Sequence, residues 1–338
     1  MKDLSQNTAL LPSGFEDLLP PNAETEYAAI AELMSVFRSF GYERVKPPLA
    51  EFEESILAPG PGAFLAADTF RLMDPVTHRM MGLRADITAQ IARIALSRLS
   101  EEPRPLRVTY ANDVIRTRRS QARTQRQFTQ VGCELIGADA LEADVEICVV
   151  VLKALSALGL KDVTLDFALP RITDDIFKVT KSAASEIDAL RHQLAGPAEK
   201  AFAALDKIKL PKDAKAHVKR LRSIIEEVQV ALEGLGLSDV KLTIDPLETR
   251  GFEYHNGFAF TAFAGGIRGE IGRGGRYEIF DGDVPKESAA GFTLYMDTLR
   301  EGLSGFVKGD VKTVPADTSW AEIQSLQEQG FIVKREIK

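Results

Sequence analysis

Between Asp113 and Glu134 lie five arginines, Arg116, Arg118, Arg119, Arg123 and Arg126, and no carboxylate, in a chain of formal net charge -7. Guanidinium groups grip phosphates and carboxylates bidentately, so the run fits a nucleotide or another polyanion. It fits equally a solvated basic loop pairing loosely with acids elsewhere. A second polar run, ETRGFEYHNG, gathers Arg250, Glu253, Tyr254 and His255. If extended, it turns Arg250, Phe252 and Tyr254 to one side and Gly251, Glu253 and His255 to the other. A third, GGIRGEIGRGGRYE, matches neither the phosphate-loop pattern nor the dinucleotide fingerprint. Its glycines point to strand bulges or to close approach of a ligand or another backbone. The four histidines, His78, His192, His217 and His255, include no His-x-x-x-His pair, so no metal site is expected. No G-x-S-x-G elbow appears, which leaves serine hydrolase chemistry without support.

The bulk numbers frame these runs. At 338 residues, with 45% hydrophobic and 27% charged residues, the sequence reads as a soluble globular protein of one large domain plus an appendage, or of two domains. No apolar run is long enough to span a membrane, and the N-terminus lacks a signal-peptide pattern, so a cytoplasmic protein is expected. Cys133 and Cys148 read as reduced, buried thiols. An isoelectric point near 5.4 argues against general nucleic-acid binding.

Elements must position the runs. A helix is expected from Asn22, on the spacing of Tyr27, Ile30, Leu33, Met34, Phe37 and Phe40, with Gly41 as its stop. YERVKPPLAEF reads as a strand ended by Pro47 and Pro48, and LAPGPGAFLA as a mobile turn-rich loop. A hairpin is expected around Asp74–Pro75, then a helix from about Ala89 to Leu99. PLRVTYANDVIRT and QFTQVGCELIG read as strands joined by the arginine loop. EADVEICVVVLKALSALGL reads as a buried helix and DVTLDFAL as a strand. The stretch of about 174–235 is a helical insertion. VKLTIDPL, FEYHNGFAFTAFAG and GIRGEIGRGGRYEIF read as strands, AAGFTLYMDTLREGL as a helix, and the tail as strand–helix–strand. Strands succeed one another without regular βαβ alternation, which implies an α+β fold with an antiparallel sheet.

Five ordered stretches resemble class II aminoacyl-tRNA synthetases, histidyl-tRNA synthetase in particular. LPSGFEDLLP is similar to R-G-T-x-D-x-L-P, and LRADIT stands at L-R-P-E-G-T. IRTRRSQARTQRQFTQVGCELIG stands at F-R-x-E-R-P-Q-x-G-R-x-R-x-F-x-Q-x-x-x-E. TRGFEYHNGFAF stands at V-R-G-L-D-Y-Y-T-G-T-V-F, and GRGGRYE at A-G-G-R-Y-D. The resemblance implies a class II core over 1–305 with the helical insertion, a homodimer, and a short C-terminal tail over 306–338 where the synthetases carry an anticodon-binding domain. It also implies histidine-binding roles for Asp86, Thr88, Gln130, Glu134, Arg250 and Tyr254, with His255 at the family's second tyrosine.

The ATP-facing groups depart from the synthetase pattern. Arg116 is kept, but Arg118 stands at the Glu of F-R-x-E, Arg123 at a glycine and Thr124 at an arginine. Where the third motif reads G-x-G-x-E-R, this chain has Tyr295, Asp297 and Thr298 at the last glycine, the glutamate and the arginine. Each charge-assisted contact so lost is worth roughly 1.5–3 kcal/mol, enough together to cripple adenylate formation. A histidine pocket kept while an ATP site is dismantled, with the short tail KTVPADTSWAEIQSLQEQGF, resembles the family of ATP phosphoribosyltransferase regulatory subunits. That resemblance implies a partner, the short-form catalytic ATP phosphoribosyltransferase, and histidine as feedback effector. No catalytic residue, cofactor or metal is expected. Arg116, Arg118, Arg119 and Arg123 are then left for an anion or the partner. The rival reading is a divergent ligase that activates histidine.

Overall fold

The computed structural model of the chain describes residues 11–119, 123–182, 184–237, 239–303 and 310–337. Helix α1 (Asn22–Ser39) buries Ala29, Leu33 and Phe37 at every fourth position and stops at Gly41, whose φ is +82°. Tyr27, expected on that stripe, is exposed, because it sits about 200° around the helix from Ala29. Strands β1 (Glu43–Arg44) and β2 (Ala50–Phe52) flank the two prolines, which supply no ladder donors. A one-turn helix α2 (Glu53–Ile56) follows. The segment expected as a mobile loop forms a 3-10 turn over Pro61–Leu65 with Pro61 and Gly62 buried. A Cβ on Gly62 would overlap the Ile56 carbonyl, so close packing rather than freedom explains this glycine.

Strands β3 (Phe70–Met73) and β4 (Met80–Leu83) form the expected hairpin, with β2 on the far side of β4. The Asp74 carboxylate fixes the turn by accepting the Val76 N–H at 3.1 Å and the Thr77 hydroxyl at 2.6 Å. Helix α3 (Thr88–Ser97) leads to β5 (Leu106–Ile115) and β6 (Gln127–Ile136), antiparallel throughout and joined by the arginine loop. Then come α4 (Leu141–Ala157), β7 (Thr164–Ala168), α5 (Thr173–Thr180), α6 (Ile187–Leu194), β8 (Gly196–Pro197), α7 (Ala198–Leu205) and α8 (Lys212–Gly234). Strands β9 (Lys241–Ile244), β10 (His255–Phe263), β11 (Gly272–Asp281) and β12 (Val284–Tyr295) precede the single turn α9 (Met296–Leu299).

These strands make a nine-stranded sheet in the order β1-β5-β6-β12-β11-β10-β7-β9-β8. From β5 to β7 it is antiparallel, but β1 joins β5 and β9 joins β7 in parallel, so the sheet is mixed. β12 corrects the sequence reading, which placed a helix over this stretch. It lies between β6 and β11, and Ala289 to Tyr295 are buried without a break. A strand covered on both faces shows no alternation and reads like a buried helix. The 250–254 segment is also corrected: it forms turns, and β10 begins only at His255.

Helices α5 to α8 are not a separate lobe. Leu221, Ile224 and Val228 of α8 share one apolar core with Ile147 and Val151 of α4 and with Phe167 and Phe260 of the sheet. Asp144 of α4, wholly buried, accepts hydrogen bonds from Nε of Arg220 on α8 and Nε of Arg276 on β11, both at 2.7 Å. The tail is a parallel pair, β13 (Val311–Val314) and β14 (Ile332–Arg335), linked by α10 (Trp320–Glu328), whose Ser319 caps the Glu322 N–H. The domain boundary expected at 305 lies outside the described residues.

Candidate functional site

At the centre of the sheet, Glu134 of β6 pairs in register with Gly291 of β12 and Val108 of β5. Its carboxylate lies over Gly291, where a Cβ would overlap it. Three hydroxyls converge on the carboxylate: Thr88 at 3.2 Å and Tyr110 at 3.3 Å on Oε1, and Tyr277 at 2.9 Å on Oε2. The Tyr110 hydroxyl also bonds the Thr293 hydroxyl at 2.7 Å. Glu134 is 1% exposed, and burial drives its pKa up to about 8; the Tyr277 hydroxyl opposes that shift, and nearby Asp86 adds to it.

Replacing Gly291 by alanine forces a methyl group against this carboxylate and the β6 backbone. We expect Gly291→Ala to lose about 1–3 kcal/mol in urea unfolding, and an unchanged midpoint would place the carboxylate elsewhere.

Gln130, four residues before Glu134 and on the same face of β6, locks the turn entering α3. Its Oε1 accepts the Ile87 N–H at 3.1 Å, and its Nε2 donates to Asp86 at 2.8 Å. Asp86 in turn accepts the Thr88 N–H at 2.9 Å. Tyr254, half-buried, stands edge-on to Tyr277 at 5.7 Å between ring centres and stacks on His255 at 4.3 Å. Asp86, Thr88, Gln130, Glu134 and Tyr254 are therefore brought together. His255 stands behind Tyr254, its imidazole pushed down to about 3 by burial and so neutral.

Arg250 is not brought in. Its side chain is 81% exposed and pairs with Glu248 at 3.3 Å. The reason is the turn at Gly251, φ +79°, against which the Arg273 guanidinium packs while donating to the Arg250 carbonyl at 2.9 Å. Sequence reasoning missed Tyr110, Tyr277 and Thr293. Tyr277 stood in the quoted GRGGRYE run, whereas Tyr110 and Thr293 gave no signal without strand register.

Arg116, Arg118, Arg119 and Arg123 line a cavity of about 370 Å³ with Asp68 and Gln125. Arg118 pairs with Asp68 at 2.8 Å, and Arg116 donates to the Ala85 carbonyl at 3.1 Å. Arg123 differs from the others. It is buried between the rings of Phe128 at 4.4 Å and Tyr295 at 4.1 Å. It bonds the Asp297 carboxylate and the Thr298 hydroxyl, with Glu270 at 3.8 Å. So Arg123, expected at an anion or a partner, is engaged inside the protein. Four departures from the synthetase pattern, at 123, 295, 297 and 298, come together as one packed cluster. Arg123, Asp297 and Thr298 also wall a second cavity, of about 680 Å³, together with Glu16, Arg268 and Arg300.

Fold and site together define a histidyl-tRNA synthetase-like protein. The family model described as histidyl-tRNA synthetase matches residues 14–221 and 193–299. The chain is similar in fold to a solved structure from Bacillus halodurans titled ATP phosphoribosyltransferase regulatory subunit/histidyl-tRNA synthetase. That match has TM-score 0.78 and 21% identity and covers 97% of this chain and 93% of that one. A histidine–tRNA ligase subunit from Alicyclobacillus acidocaldarius matches with TM-score 0.68 and 25% identity, over 88% of this chain and 98% of that one. Two curated relatives bear the name ATP phosphoribosyltransferase regulatory subunit. The one from Paramagnetospirillum magneticum is 43% identical, over 97% of this chain and 90% of its own length. The one from Rhodospirillum centenum is 42% identical, over 97% and 89%. The chain belongs to the ATP phosphoribosyltransferase regulatory subunit family. Among the described residues no helix is long and apolar enough to cross a membrane.

Proposed function

We propose that the chain is a non-catalytic, cytoplasmic subunit that assembles with a short-form catalytic ATP phosphoribosyltransferase, supports its activity, and confers feedback inhibition by histidine on the first step of histidine biosynthesis. One observation carries the reading: the Glu134 cluster is intact, while Arg123, Tyr295, Asp297 and Thr298, where the synthetase pattern has its ATP-facing groups, are engaged with one another. Asp86, Thr88, Gln130, Glu134 and Tyr254 bind histidine, His255 supports Tyr254, and the core forms a homodimer. Arg116, Arg118 and Arg119 face an anion or the partner. Feedback then requires histidine to bind one state of the complex better than another, with a coupling of about 1–3 kcal/mol.

The test mixes purified chain with the catalytic subunit and follows phosphoribosyl transfer against histidine concentration. We expect activity that depends on the added chain and falls with histidine, while Glu134→Ala supports activity but is no longer inhibited. Pyrophosphate exchange dependent on histidine and Mg-ATP, with the chain alone, would overturn the reading in favour of a ligase.

A further inference from the structure

A carboxylate taken fully out of water is tolerated when it is protonated or when a cation meets it. Among the described residues no lysine, arginine or histidine side chain hydrogen bonds or ion-pairs with Glu134; hydroxyls alone meet it. The titratable groups facing it are Asp86 ahead of α3, Tyr110 on β5, Tyr277 on β11 and Tyr254 ahead of β10. Burial holds the three phenols well above their ordinary range, so they stay neutral. From β12 come Gly291 and Thr293, which do not titrate, and, farther along the same face beside Gln130, Tyr295, a phenol that burial holds up as well. Asp86, half-buried, is engaged with Gln130 and the Thr88 N–H. The deep end of the site is therefore an acid met by the hydroxyls of Thr88, Tyr110 and Tyr277, with Tyr254 edge-on to Tyr277, a neutral polar group that an imidazole nitrogen can meet. The half-buried end, with Asp86 and Gln130, suits an ammonium group.

Resting on the reading of this pocket as a histidine site, we propose that Glu134 enters the complex carrying a proton and shares it with the neutral imidazole of the ligand. As the O–H bond of the acid breaks, the N–H bond of an imidazolium forms, and solvent neither gains nor loses a proton. The bound pair holds one proton in total. Below the imidazole's own pKa, about 6.5, the free ligand carries an extra proton that must leave. Above about 8 the free acid has lost its proton and must regain one. Affinity is bell-shaped between these limits, falling about tenfold per pH unit on each side.

The test is calorimetry of the full chain with L-histidine at about pH 7.2, in phosphate and in Tris, and of its affinity from about pH 5.5 to 9. Equal binding enthalpies in the two buffers and a bell-shaped affinity are expected. Glu134→Gln, which keeps a neutral donor, should lose the alkaline limb and keep the acid one; any alkaline loss due to the ligand's own amino group would persist in the variant. Enthalpies that differ by the buffers' ionisation heat, or affinity that holds above pH 8, would overturn the proposal and place an ammonium at Glu134. Absence of binding at every pH, checked by equilibrium dialysis, would overturn the histidine reading itself and the proposal with it.

Discussion

Glu134→Gln should be more stable than the parent at pH 8, and the advantage should vanish in acid. The folded carboxyl titrates at about 8 against an ordinary 4.5, so between these values the native state keeps a proton that the unfolded chain has released. Stability from this group is fully present below 4.5 and is lost as pH rises through about 8. The loss runs at up to about 1.4 kcal/mol per pH unit, or about 2–3 kcal/mol between pH 6 and 8. Glutamine keeps the hydrogen bonding and removes the slope. Urea midpoints of parent and variant at both pH values isolate this carboxyl, because every other group titrates in both proteins. Parallel pH profiles would mean that Glu134 is ionised in the free protein.

Arg123→Ala should be among the most damaging changes at any arginine. It leaves Asp297, at 10% exposure, without its cation and Glu270 with Arg273 alone, and leaves Tyr295 and Phe128 facing a hole. Breaking a buried pair from one side costs about 3–5 kcal/mol. Adding Asp297→Asn should recover part of the loss, since an amide needs no counter-charge. Arg118→Ala removes an exposed pair with Asp68 and should cost under about 1 kcal/mol. Similar losses for Arg118 and Arg123 would show that the cluster around Arg123 contributes nothing special to stability.

Much of this was legible in the sequence, for identifiable reasons. The turn at Asp74 was readable because its side chain supplies its own hydrogen bonds. β5 and β6 were readable because turn-rich polar segments bracket them. β12 was not, because burial on both faces erases the period that separates strand from helix. At the site, Asp86, Thr88, Gln130 and Glu134 could be picked out by type and order, but the hydroxyl cage could not. Tyr110, Tyr277 and Thr293 meet only through the register of β5, β11 and β12. Arg250 was assigned to the pocket by its place at the Arg of R-G-L-D-Y-Y, and the left-handed Gly251 turns it away. Arg123 read as one of several loop arginines because its partners Asp297 and Thr298 lie more than 170 positions downstream.

The cluster around Arg123 also constrains the chain's future. Arg123 engages Tyr295, Asp297 and Thr298 at once, so a lineage drifting back toward an open nucleotide cleft would have to change several of these residues together. Losing the arginine first strands the Asp297 carboxylate; losing Asp297 first leaves a buried guanidinium with Glu270 at 3.8 Å. Either intermediate is less fit to fold than its parent, which makes the Arg123 cluster a ratchet. Arg118 and Arg119, exposed on the same loop, are under no such restraint and are free to follow whatever surface they meet.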